Sequence, residues 1–162
     1  MNNAYFHLLL NHAPVYTVLF GIVLLLYGLL ARNISLVKAG LTSVLVATLL
    51  TMPAYFTGEG AEEVVEHLPG IHHADIEAHE QMAEWALWAM GTAGTAALLG
   101  LLTTSSRPAR ARKPKVWAVV TLVVSIGAFA LLVWTGLTGG AVRHSELKEV
   151  APPVPQPPAG NP

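Results

Sequence analysis

Four long apolar stretches, set apart by short polar segments, dominate the pattern along the chain. They cover residues 15–31 (VYTVLFGIVLLLYGLLA), 39–56 (AGLTSVLVATLLTMPAYF), 85–103 (WALWAMGTAGTAALLGLLT) and 116–142, and none contains Asp, Glu, Lys, Arg or His. A hydrocarbon layer about 30 Å thick takes roughly 20 apolar residues at 1.5 Å rise per residue. With their flanks the four stretches reach or approach that length, and in lipid only a helix or a closed barrel satisfies the backbone. The pattern therefore predicts an all-α protein, an integral-membrane up-down four-helix bundle with spans at about 13–31, 39–56, 82–104 and 116–140.

The polar segments add detail. Residues 2–12 (NNAYFHLLLNH) read as a short interfacial helix, and Pro14 suits the first turn of span one, where its missing N–H costs nothing. Pro53, near the end of span two, marks a place for a kink. Gly58 and Gly60 are expected to break the chain, residues 61–68 to form a second short helix on the membrane surface, and Pro69-Gly70 to end it. A long third helix then starts near Asp75 and projects above the bilayer before entering it. Ala89, Ala93 and Ala97 at four-residue intervals, with Gly91, Gly94 and Gly100, predict close helix contacts in span three. The Gly136/Gly140 spacing predicts the same in span four. The organisation is one transmembrane domain over 1–150 and a tail, 151–162 (APPVPQPPAGNP), whose six prolines in twelve residues predict an extended, polyproline-like arm.

Composition narrows the chemistry. Only 12% of the 162 residues are charged, against about a quarter in soluble domains. With no cysteine, disulfides, thiolate metal sites, iron–sulfur ligation and covalent c-type haem attachment are excluded. The amino-terminal flank carries no basic residue, so span one does not read as a cleavable signal peptide.

Charge divides the molecule into two faces. Arg32 and Lys38 lie between spans one and two, and Arg107, Arg110, Arg112, Lys113 and Lys115 between spans three and four. Loops rich in Lys and Arg stay in the cytoplasm. Both termini and the 57–80 loop are then expected outside, on the periplasmic side of a bacterial inner membrane. All ten carboxylates and all seven histidines fall on that outer side, and the inner loops hold none. The stretch Thr57–Glu80 alone contains seven carboxylates and four histidines.

An up-down bundle brings the start of span one, the end of span two, the start of span three and the end of span four to one neighbourhood. His7, His12, Glu59, His79, Glu80, Glu84, His144 and Glu146 are thereby gathered. Imidazole ligates zinc, copper and iron, and carboxylates add oxygen ligands, so His7, His12, Glu59, His79, Glu80, Glu84 and His144 form the candidate metal set. Paired histidines could instead hold a b-type haem, from among His7, His12, His79 and His144, with Arg143 meeting a propionate. His7 and His12 are five apart, about 140° around a helix, and do not share a face. His12, at the mouth of span one, is the better candidate to point inward, though spacing leaves either as the ligand. His67, His72 and His73 read as solvated loop residues.

Three segments carry a resemblance: HLLLNHAP (His7–Pro14), TGEGAEEVVEHLPG with IEAHE (57–70 and 76–80), and GGAVRHSEL (139–147). In that order they resemble the HLxxNHxP, TGExAEE…HE and GGxIRHxE motifs of small four-span bacterial membrane proteins. Those proteins are distantly similar to predicted membrane proteins of the DUF2231 type, some of which are grouped with haem-binding cytochrome b bundles. Val142 stands where that group often has isoleucine. The resemblance covers most of the chain and makes His7, His12, Glu59, His79 and His144 motif positions; His72 and His73 belong to none. It implies no established activity, but it implies that His12, His79 and His144 act together.

Two functions compete. The first is a membrane-anchored redox or cofactor-binding subunit, with one haem b or divalent-metal site at the outer face, exchanging electrons with a periplasmic carrier, a quinol or a partner subunit. A single outer site does not carry electrons across the membrane. The second is a non-catalytic accessory subunit of a larger respiratory or photosynthetic membrane complex. Besides the lipid bilayer, partner subunits are expected, and no nucleic acid. A transporter is disfavoured because its pathway would need ionisable groups within the spans. No nucleophile–base pair identifies a hydrolase.

Overall fold

The computed structural model describes residues 3–103 and 114–143, and among them five helices. These are α1 (Asn3–Leu10), α2 (His12–Leu30), α3 (Ile34–Val65), α4 (His73–Thr103) and α5 (Pro114–Arg143). Helices α2 to α5 form an all-α up-down bundle, and four helical segments are long and apolar enough to cross a membrane. Helix α1 prolongs α2 and lies along α3. The break between them, at Asn11, has a local cause. Pro14 supplies no N–H to the carbonyl of Leu10, and its ring crowds that carbonyl, while Asn11 still donates to the His7 carbonyl at 2.9 Å.

Inside and outside are distinguished by size rather than by polarity. The inward stripe of α2 is Pro14, Val18, Gly21, Leu25 and Gly28, and that of α5 is Ala118, Thr121, Ser125, Ala128 and Leu132. Both repeat at alternating steps of three and four, the 3.5-residue period of helices that wind around one another. Large apolar side chains such as Phe20, Leu49, Val123 and Leu137 point away from the bundle. In lipid no hydrophobic force draws helices together, so small residues that let backbones approach supply the contact. Gly40 of α3 shows how close that approach is: a Cβ there would lie 2.8 Å from the backbone nitrogen of Leu25. Gly94 of α4 sits beneath Thr48, which donates from Oγ1 to the Met90 carbonyl at 2.9 Å.

Span three follows its small-residue pattern in part: Ala93, Gly94, Ala97 and Gly100 are buried, whereas Ala89 is half-buried and Gly91 exposed. The Gly136/Gly140 spacing does not act as expected, since a Cβ at either glycine would meet nothing within 4 Å. The close contacts of α2 lie instead at Gly21 and Gly28, seven residues apart.

The α2–α3 connection is three residues long. Asn33 donates to the Gly28 carbonyl and Arg32 to that of Leu29, at 2.9 and 3.3 Å, the paired bonds that close a helix C-terminus when the next residue is left-handed. Arg32 takes that place with φ 53. The side chain of Asn33 then caps α3, accepting from Ser35 and Leu36.

At the other end the structure corrects the sequence. Gly58 and Gly60 do not break the chain, and no separate short helix forms within 57–80. Helix α3 runs unbroken through Pro53 and both glycines to Val65. A glycine costs a helix about 1 kcal/mol relative to alanine. The extension recovers that by packing on α1, where a Cβ added at Gly58 would meet the His7 ring at 3.6 Å, ordinary van der Waals contact. The turn falls at 66–72, with Gly70 at φ 82, and α4 begins at His73.

Candidate functional site

Carboxylates and histidines gather at the end of the bundle where α1 starts, α3 ends and α4 starts. Two histidines turn into it. His7, on α1, donates from Nδ1 to the carbonyl of Ala54 on α3 at 2.9 Å. His79, on α4, donates from Nδ1 to the carbonyl of Thr135 on α5 at 3.0 Å. A carbonyl oxygen only accepts, so in each neutral ring the proton sits on Nδ1 and the lone pair on Nε2. The ring centroids lie 6.4 Å apart with their planes at 86°. Each imidazole thus fastens its own helix to a neighbour, and the two pairs, α1 with α3 and α4 with α5, meet ring to ring.

The neighbours are small or polar for visible reasons. Gly139 carries no side chain where a Cβ would fall 2.9 Å from Cε1 of His79. Thr57 donates to the carbonyls of Pro53 and Ala54 at 2.8 and 3.1 Å, and its Oγ1 lies 3.4 Å from His7 Nδ1. Asn11, one turn along from His7, holds its side-chain oxygen buried with no hydrogen-bond partner among the described residues. An amide oxygen out of water and without a donor is costly, so Asn11 offers an acceptor near the same end of the bundle.

The remaining candidates go elsewhere. His12 does not point inward: it is exposed and stacks on Tyr16 with centroids 6.3 Å apart. The 140° between positions 7 and 12 sends one ring into the bundle and the other out. Glu59, Glu80 and Glu84 are all exposed. Glu80 lies against Glu62, and the hydrogen bond between these carboxyls, above the apolar stretches, raises the pKa of Glu62. Like charges that close favour a shared proton. Glu84 lines a surface cleft with Trp85 and Trp88. The seven-residue metal set is therefore not assembled: among the described residues no three His, Asp or Glu converge on one point. The reason is angular, since Glu80 and Glu84 stand about 100° and 140° around α4 from His79. His144, Glu146, the Arg143 side chain and the 151–162 tail lie outside the described residues.

Sequence reasoning missed Asn11, Gly58, Thr135 and Gly139. Asn11 and Gly139 stand inside the HLLLNHAP and GGAVRHSEL segments, so the motifs contain the signal, but neither side chain is ionisable and ligand chemistry alone does not point to them. No family model matches this sequence, and comparison with curated proteins and with solved structures finds no significant relative. The class defined by fold and site is a four-span membrane bundle with a pair of backbone-anchored histidines at its carboxylate-bearing end.

Proposed function

We propose that this chain is a membrane-anchored, redox-type subunit that holds one cofactor, a haem b or a metal ion, through His7 and His79. The observation that carries it is the pair itself. Histidines that ligate metals almost always fix their other ring nitrogen on a carbonyl or carboxylate, which sets the tautomer and aims the ring. Both imidazoles have that arrangement, each with Nε2 as the acceptor. A metal about 2.0–2.1 Å from each of two imidazole nitrogens holds the ring centres roughly 6 Å apart, close to the separation here. Two ligands are too few for a closed zinc site; His7 and His79 would hold a haem iron or an ion that takes further ligands. The positive-inside distribution supports an outer-face site; the motif resemblance makes both histidines motif positions, although it implies that His12, not His7, acts with His79.

The second reading is an accessory subunit of a larger respiratory or photosynthetic complex. The interhelical bonds of His7 and His79 favour it independently, because such bonds fasten a bundle without any cofactor. A reduced-minus-oxidised absorption spectrum of the detergent-purified protein, with elemental analysis, separates the two. A sharp α band, or a stoichiometric metal, is expected. His7→Ala and His79→Ala should each abolish retention, while His12→Ala and His72→Ala should leave it intact. Equal retention in all four variants removes the pair from the site, and neither haem nor metal in the wild-type protein leaves the accessory role.

A further inference from the structure

Two adjoining openings on the α4 surface form one path. The first, of about 390 Å³, is lined by Glu84, Trp85 and Trp88. The second, of about 560 Å³, shares Trp88 and runs between α4 and α5 to Leu99 and Trp117, with Gly91 and Ala96 in its lining. From Trp88 to Leu99 is eleven residues of helix, about 16 Å, roughly the depth of one hydrocarbon leaflet, about 15 Å. Below Glu84 the helix carries no ionisable residue through 103. The carboxylate therefore stands at the level where the apolar part of the membrane begins. Glu84 and Trp88, four apart, share a helix face, and both indoles are largely exposed.

From this arrangement we infer a binding site for one phospholipid whose headgroup ends in an ammonium. The ammonium sits against the Glu84 carboxylate and the faces of Trp85 and Trp88, and one acyl chain lies in the groove toward Trp117. Indole faces attract ammonium groups, and the carboxylate supplies the opposite charge. The surroundings select the same sign. Glu59, Glu62, Glu63, Glu66, Asp75, Glu77 and Glu80 occupy this end of α3 and α4, and no Lys or Arg lies among residues 57–103. On α3, α4 and the turn that joins them an anionic headgroup would meet like charge. The two threonines along the groove, Thr92 and Thr95, donate to carbonyls of their own helix at 2.9 and 2.8 Å, so neither presents an unmet hydroxyl to a hydrocarbon chain. The site is independent of any cofactor at the histidine pair.

Tryptophan quenching tests it. The full-length protein is placed in phosphatidylglycerol vesicles that contain a small fraction of acyl-brominated phosphatidylethanolamine. Parallel vesicles carry the same fraction of acyl-brominated phosphatidylglycerol. The wild-type protein should associate with the ethanolamine lipid about five-fold more strongly. Glu84→Gln should remove the preference with helicity unchanged by circular dichroism, and Gly91→Phe, which adds a ring to the groove lining, should lower quenching by either lipid. Equal quenching by both lipids in the wild-type protein overturns the inference, as does a preference that survives Glu84→Gln. Quenching that falls as protein per vesicle rises overturns it too, because a second copy would then occupy the groove.

Discussion

His79 shows how one side chain depends on the absence of another. Its Nδ1 reaches the Thr135 carbonyl only because Gly139, one turn further along α5, leaves the ring its space. Gly139→Ala should push the ring off that carbonyl and lose about 1 kcal/mol, the net value of one hydrogen bond, against the helix-propensity gain that alanine brings at either glycine. Gly140→Ala, whose added Cβ meets no described atom within 4 Å, should show that gain alone, up to about 1 kcal/mol. Unfolding of both variants in detergent should find Gly139→Ala about 1 kcal/mol less stable than Gly140→Ala, and equal effects would mean that the His79 contact contributes nothing. Nothing in the local sequence marks Gly139 out from its neighbours. Positions 79 and 139 are sixty residues apart, and only the antiparallel packing of α4 on α5 makes one the other's constraint.

The helices themselves were legible because lipid demands them: an apolar stretch long enough to cross has no other stable backbone arrangement. Their ends were less so. Local propensity argues for a break at Gly58 and Gly60, but α1 packs along this stretch and α3 continues to Val65. Tertiary contact overrode propensity there. The opposite end presents a residue that local chemistry would not choose. Arg32 holds the left-handed position of the α2 terminus at φ 53, where a side chain is strained and glycine is not. Arg32→Gly should therefore stabilise the protein by about 1 kcal/mol, read as a higher unfolding midpoint in detergent. A lower midpoint would show that the Arg32 side chain contributes more than its backbone strain costs.

For the whole molecule, orientation in the membrane is the property on which the outer-face reading depends. The chain has no cysteine, so single cysteines report accessibility cleanly. Glu63→Cys should react with a membrane-impermeant maleimide in intact cells, and Ser105→Cys only after lysis. The reverse pattern would move the histidine pair to the cytoplasmic side. The sequence by itself determined the number of spans, their helical state and the separation of basic from acidic and histidine-bearing ends. Each follows from the cost of placing a charge or an unpaired backbone group in hydrocarbon, and that cost is paid locally, residue by residue. Only the tertiary structure decided that His7 rather than His12 turns inward, that it meets His79, and that the carboxylates stay apart from both. When nearly every residue of a helix is apolar, hydrophobicity does not say which face is inside. Packing between helices chooses that face by the size of the side chains.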